Sequence, residues 1–326
     1  MKHISILVPL GDAALGCIEG PYTFFTKTND FLVRSGKPAL FNVHLVALTK
    51  KVQVYDHYFT VCSNMVLEEV QKTDLIIIPA VNGEMKKVIS LNKDFFPWIR
   101  KQYKDGAEVA SLCLGSFLLA SAGLLKNKAC VTHWSAANEF ITMFPDVKLE
   151  SDKIITDVHG IYTSAGGNSF WNLLLHLIEK YTSREIAIQC SKYFEIEIDR
   201  NNQSSFTIFK GRRDHHDEPI KKAQLFIEKN FQTKITIDQL SILMAIGRRT
   251  LERRFKKATY CTILEYIHKV KIEAAKKSFE LGRKNVDDIM QEVGYSDTKA
   301  FRTIFKKTTG LSPIEYRDKF NKSTPL

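Results

Sequence analysis

Two groups of residues in this 326-residue chain have types and spacings that could do chemistry. The first centres on Cys113. The run Glu108-Val109-Ala110-Ser111-Leu112-Cys113-Leu114-Gly115-Ser116-Phe117 reads as a strand, a sharp turn and a helix. That places a thiol at the turn, just before a helix N-terminus, where the dipole favours a thiolate. Gly115 lets the backbone pass closely. The pattern is that of a nucleophile elbow with Cys in place of Ser. His133, in Val131-Thr132-His133-Trp134, is the nearest partner in sequence. The plainer alternative is that Cys113 is a small apolar core residue.

The second group is cationic. The chain carries a net charge of +11, and residues 211–326 hold 25 Lys+Arg against 15 Asp+Glu. Residues 1–210 are nearly balanced, at 22 against 21. A neutral body joined to a basic segment of this size points to a polyanion partner, or to a solvated basic surface. An internal repeat separates the two. Phe255-Lys256-Lys257-Ala258-Thr259 recurs as Phe305-Lys306-Lys307-Thr308-Thr309, and Glu265-Tyr266 as Glu315-Tyr316. Upstream, Ile237-Asp238-Gln239-Leu240 matches Val286-Asp287-Asp288-Ile289 with one residue less between the copies. The second copy therefore has one extra residue, in its turn or at its helix start.

Each copy reads as helix, short turn, helix. In the first, Ile237, Leu240 and Met244 share a face, a break follows at Ala245–Gly247, and Leu251 and Phe255 lie one helical turn apart. In the second, Val286, Ile289 and Val293 form the face, Gly294-Tyr295-Ser296 supplies the turn and the cap, and Phe301 and Phe305 face inward. This is the sequence form of a helix-turn-helix. With the apolar residues inward, Arg248, Arg249, Arg253 and Lys256 are expected to project from the first recognition helix. Thr298, Lys299, Arg302 and Lys306 are expected to project from the second. Arg suits bidentate contacts to guanine, and Lys suits phosphates. Between the copies, 262–280 is an unbroken helical pattern of roughly 28 Å, long enough to hold two recognition helices near one DNA turn apart.

The elements around these groups set the expected architecture. Ile4–Leu10, Val43–Leu48, Asp74–Ala80 and Glu108–Leu112 are near-continuous apolar runs, as in strands covered on both faces. Helical patterns at 21–35, 86–103 and 169–181 alternate with or follow them. The expected fold class is α/β, a doubly wound, mostly parallel, flavodoxin-like sheet, followed by an all-α domain with two helix-turn-helix motifs. The expected domains are 1–206, a linker at 207–220, and 221–326.

Other function classes are excluded or disfavoured. Apolar residues are 44% and charged residues 25%, an ordinary globular balance. The longest apolar runs fall far short of the ~20 residues of a membrane span, and the N-terminus reads as a buried strand rather than a signal peptide. The six cysteines are scattered and none forms a CxxC pair, which argues against a disulfide framework or a zinc site. His215-His216, flanked by Asp214 and Asp217, reads as polar linker. No metal and no cofactor are expected, and a reducing cytoplasm is the expected compartment.

Residues 221–320 resemble the DNA-binding domain of AraC/XylS-family transcription regulators. The likeness is closest over Gly294-Tyr295-Ser296, Phe301, Phe305, Gly310-Leu311-Ser312-Pro313 and Tyr316. The first copy departs from that pattern at Ala245, Gly247 and Tyr260. Residues 3–206 resemble the PfpI-like, class I glutamine amidotransferase-like domain of GlxA-type regulators. The matching segments are Gly20-Pro21, Cys113-Leu114-Gly115, Leu119–Leu125, Thr132-His133-Trp134, Thr163–Gly167 and Asp199-Arg200-Asn201-Asn202-Gln203.

The resemblance implies a regulator that binds double-stranded DNA. It further implies an N-terminal domain that binds a small-molecule effector and forms a homodimer, and it leaves RNA polymerase open as a further partner. The family's enzymes use a Cys, a later His and an acid four residues before the position of Pro21. Here Cys113 and His133 match, but the acid's position holds Cys17, and Glu19 stands two residues off. Without the supporting carboxylate the expectation is a non-catalytic pocket that keeps Cys113 and His133 as vestiges, lined by Cys17, Glu19, Cys113, Leu114, His133 and Trp134. The competing expectations are a Cys-dependent hydrolase or dicarbonyl-modifying enzyme with a DNA-binding tail, and a domain that serves only to dimerise.

Overall fold

A computed structural model describes residues 1–198, 200, 202–282 and 284–321. The chain divides into two compact units, Met1–Gln203 and Ser204–Leu326. In the first, the main sheet runs in the order Ile155–Val158, Ile161–Ser164, Glu108–Leu112, Leu75–Ile78, Lys2–Leu7, Phe41–Ala47 and Met65–Val66. Only the first pair is antiparallel; the others are parallel. The continuous apolar runs are central, and each residue of Leu75–Ile78 is fully buried.

Helices α1 (Gly16–Arg34), α2 (Met85–Leu91), α3 (Phe95–Lys104), α4 (Gly115–Ser121), α5 (Ala137–Met143), α6 (Ser169–Tyr181) and α7 (Arg184–Tyr193) flank this sheet. α1, α6 and α7 pack as one group, and α2, α3 and α4 as another. This is the doubly wound α/β layering that alternating strand and helix patterns call for. The single helix expected over 86–103 is two helices. Asn92, fully buried, ends α2 and clamps Leu10: its Oδ1 accepts from the Leu10 amide at 2.8 Å and its Nδ2 donates to the Leu10 carbonyl at 2.9 Å.

The second unit is helical: α8 (Glu218–Asn230), α9 (Ile237–Met244), α10 (Arg248–Thr259), α11 (Ile263–Leu281), α12 (Val286–Glu292), α13 (Thr298–Thr309) and α14 (Pro313–Phe320). It contains two cores built alike. The first includes Ile220, Ala223, Ile227, Leu240, Leu251, Phe255 and Tyr266. The second includes Ile272, Ala275, Phe279, Ile289, Phe301, Phe305 and Tyr316. Ile220, Ala223 and Ile227 of α8 thus correspond to Ile272, Ala275 and Phe279 of α11, so each copy begins one helix earlier than the sequence repeat shows. α11 closes the first copy with its N-terminal half and opens the second with its C-terminal half. Each copy ends on a capping box, Thr262 with Glu265 and Ser312 with Glu315, followed by a buried tyrosine. Tyr266 donates to Glu228 at 2.5 Å, and Tyr316 to Glu280 at 2.6 Å.

Residues 207–217, expected as linker, lie against this unit. The Phe209 amide donates to Glu273 at 3.0 Å, and Arg212 reaches the Ala258 carbonyl at 3.3 Å. His215 is buried and its Nε2 lies 2.9 Å from Gln224 Oε1.

Candidate functional site

The two helix pairs turn in the same way. After α9, Ala245 adopts φ +51°, with the Ala245 amide on the Ile242 carbonyl and the Ile246 amide on the Ser241 carbonyl, both at 3.1 Å. After α12, Gly294 adopts φ +76°, with its amide on Gln291 at 2.9 Å and the Tyr295 amide on Met290 at 3.0 Å. One residue, Ile246, then leads to the cap Gly247; two, Tyr295 and Ser296, lead to the cap Asp297. The extra residue of the second copy is therefore in the turn. Ser296 does not cap α13, as the sequence led us to expect. Asp297 does, accepting from the Ala300 amide at 3.0 Å, because the longer turn moves the cap on by one.

The second turn is held from α11. Lys271, only 7% exposed, donates to the Gly294 carbonyl at 2.7 Å. His268 Nδ1 lies 2.7 Å from the Tyr295 hydroxyl. A Cβ on Gly294 would stand 2.1 Å from the Gln232 carbonyl oxygen, so both the space and the φ require glycine.

Leu251, Phe255, Ala258 and Thr259 fix the inward face of α10, and Phe301, Phe305 and Thr309 that of α13. Opposite them, Arg249, Arg253 and Lys256 are exposed on α10 in a stripe at i, i+4, i+7. Lys299, Thr303 and Lys306 are exposed at the same spacing on α13, with Arg302 exposed on its flank. Thr298 is half-buried. Arg248 is exposed, but its guanidinium is turned to Asp238 on α9, at 3.2 and 3.3 Å. Among the described residues, Arg249, Arg253, Lys256, Lys299, Arg302 and Lys306 make no ion pair within 4.0 Å. Thr303, Lys257 and Lys307, which the sequence reading omitted, share the exposed faces. Counting Ala258 and Thr259 on α10, and Thr309 on α13, as inward positions would have found them.

Arg254 lies on the flank and forks onto Asp217 at 2.9 and 2.7 Å. Asp217 also caps α8 through the Ile220 amide. Its hydrogen bonds from Arg254 hold the carboxyl below the usual carboxylate range, against the opposing effect of burial.

In the first unit Cys113 takes the strained conformation of an elbow, φ +53°. Its amide donates to the Ser164 carbonyl at 3.1 Å. A Cβ on Gly115 would lie 2.5 Å from the Ile78 carbonyl oxygen, so only glycine fits beneath the turn. The expected thiolate is not favoured. Burial pushes the Cys113 thiol up, and this outweighs the Leu114 and Gly167 amides that act the other way. Burial likewise pushes Cys17 up to about 11, and the charge interaction with Cys113 adds to it.

His133 rests on the backbone of Gly166, where a Cβ would meet its ring. Its Nδ1 accepts from the Ser135 amide at 3.1 Å, and burial lowers its pKa. Cys17 and Cys113 are thus brought together, and Cys113 and His133 both adjoin the 163–167 turn. Glu19 is not brought in: it is exposed and accepts from Thr23 at 2.5 Å. Leu114 and Trp134 are half-buried. Gln203 fastens the histidine loop, donating to the carbonyls of Thr132 at 3.1 Å and Ser151 at 2.9 Å. Asp199 and Asn201 of the same motif lie outside the described residues. Two adjoining cavities of about 170 and 260 Å³ lie elsewhere in the unit, beside α6 and α7, and share Asn172 and Arg200. Neither is lined by Cys17, Cys113 or His133.

Comparison with known proteins finds a family match within each unit. Residues 25–180 match the DJ-1/PfpI family, and residues 240–319 match a helix-turn-helix domain family. The HTH-type transcriptional regulator GbdR of Pseudomonas aeruginosa is 25% identical over 70% of this chain, a match spanning 62% of GbdR's length, under two thirds of it. The HTH-type transcriptional regulator CdhR of the same species is 23% identical over 85% of this chain and 82% of its own. A crystal structure of a putative transcriptional regulator protein from Vibrio parahaemolyticus shares the fold over 59% of this chain and 98% of its own, with TM-score 0.53 and 20% identity.

Proposed function

We propose that this chain, in which a DJ-1/PfpI family domain precedes an AraC-type helix-turn-helix domain, is a sequence-specific DNA-binding transcription regulator. The observation that carries the reading is the pair of stripes, Arg249-Arg253-Lys256 and Lys299-Thr303-Lys306, each on the second helix of a helix-turn-helix and uncovered by any acidic partner within the described residues. Each such helix enters a major groove, where arginine reads guanine and lysine neutralises phosphate. Thr298, Arg248 and Arg302 support the stripes from their edges.

The first domain is the sensor. It binds a small metabolite near Cys17, Cys113, Leu114, His133 and Trp134, pairs with a second copy, and biases the DNA-binding half by binding one arrangement of the protein more tightly than the other. It is non-catalytic: the Cys113 thiol stays protonated at neutral pH, and Glu19 faces solvent. The protein works in the cytoplasm, where RNA polymerase is a natural further partner.

The test is binding of the full chain to genomic fragments enriched by it. Wild-type protein should retain a fragment that the Arg249→Ala, Arg302→Ala double variant releases. Equal retention by both would refute the interface.

A further inference from the structure

We propose that Glu252 is a specificity-determining residue of the DNA interface, accepting a hydrogen bond from the amino group of a cytosine in the groove that α10 enters. The inference rests on the DNA-binding reading above. Glu252 is the sole acidic residue in α10, RRTLERRFKKAT, and α13, TKAFRTIFKKTT, has none. It is the fifth residue of its helix, in the half that contacts base edges. Arg249 lies one turn before it and Arg253 immediately after, and its side chain is 45% exposed.

Stability does not explain a carboxylate here. The nearest cation is Arg248, at 3.8 Å, and Arg248 is more closely engaged by Asp238 at 3.2 Å. So long and exposed a pair contributes little. The matching position of the second copy holds the opposite charge, Arg302, on a helix of the same length.

Against DNA, a carboxylate on this surface is repelled by every phosphate, whatever the sequence. Only a donor in the groove offsets that repulsion. Guanine offers two acceptors, thymine an acceptor and a methyl, and adenine an acceptor beside its donor; cytosine offers its amino group without an adjacent acceptor. The guanine paired with that cytosine presents acceptors suited to Arg249 or Arg253. The three side chains together therefore select a C·G pair, and Glu252 rejects alternatives that the arginines alone would tolerate.

The test is selection of bound duplexes from a randomised double-stranded DNA pool by full-length wild type and Glu252→Gln, with thermal melting of both. Wild type should enrich a motif with one cytosine preferred about five- to tenfold over other bases. Glu252→Gln, melting like wild type, should lose that preference, keep the other positions and bind unrelated duplexes more tightly. An unchanged cytosine preference in Glu252→Gln overturns the proposal. General loss of binding by a variant that melts normally also overturns it, because removing a repulsive charge should not abolish contact. A wild type that enriches no motif overturns the DNA-binding reading itself, which keeps the two failures distinct.

Discussion

Ala245 and Gly294 occupy the same left-handed place in two copies of one turn, yet only one of them is glycine. An L-residue with a Cβ pays roughly 1–2 kcal/mol for that conformation. Ala245 is exposed, so nothing else requires its methyl group. Ala245→Gly should therefore raise the stability of the helical unit by about 1 kcal/mol, read as a higher melting midpoint. At Cys113 the elbow was legible from the strand before it and Gly115 after it. Its protonation was not, because the burial that raises the thiol pKa comes from the packed fold and outweighs the neighbouring Leu114 and Gly167 amides. With its thiol pushed up, Cys113 should react with iodoacetamide at pH 7 more slowly than exposed Cys62, and accelerate as pH rises past the ordinary thiol range. Labelling followed by peptide mass spectrometry measures both rates; equal rates at pH 7 would contradict the burial argument.

The orientation of α10 shows what helix periodicity can and cannot tell at the scale of an element. Leu251 and Phe255 gave the inward side, but two anchors leave the face loosely defined. Ala258 and Thr259, one small and one polar, complete it and turn Arg248 toward Asp238 rather than outward. The first helix of each copy is hidden in the sequence for a related reason. Ile220-Ala223-Ile227 and Ile272-Ala275-Phe279 are generic apolar spacings, recognisable as counterparts only once packed. The sheet was easier, since runs such as Leu75–Ile78 are buried on both faces and read as continuous apolar sequence.

Asp217 ties α8 to α10, and the tie has a sign in pH. Its folded pKa is lowered, so the stability it adds is complete above the ordinary carboxylate range and is lost as pH falls through the lowered value. Asp217→Asn should destabilise at pH 7 and flatten the acid side of a melting-temperature profile. An unchanged acid limb would assign the cap no electrostatic part.

Across the whole molecule, charge is segregated along the chain, with residues 1–210 nearly balanced and residues 211–326 of formal charge +10. Association with DNA should accordingly be salt-dependent. If the five cations of the two stripes and Arg302, six in all, each neutralise about one phosphate, log K should fall against log salt with a slope near −5. A slope close to zero, measured by fluorescence anisotropy on an enriched fragment, would mean that these faces do not meet the backbone. Replacing Arg249 and Arg302 should reduce the magnitude of the slope by about two.

Because α11 belongs to both copies, with Tyr266 and Ile267 in one core and Ile272, Ala275 and Phe279 in the other, it cannot stretch or rotate without breaking a core. The chain therefore carries a fixed ruler. An extra base pair inserted between the two contacted stretches would shift one of them by about 3.4 Å and swing it around the duplex axis by roughly a tenth of a turn. The protein has no slack to follow. If the chain binds DNA as proposed, its operators should share one strict gap between their two halves, and a site mutated only in that gap should lose binding with every contacted base intact.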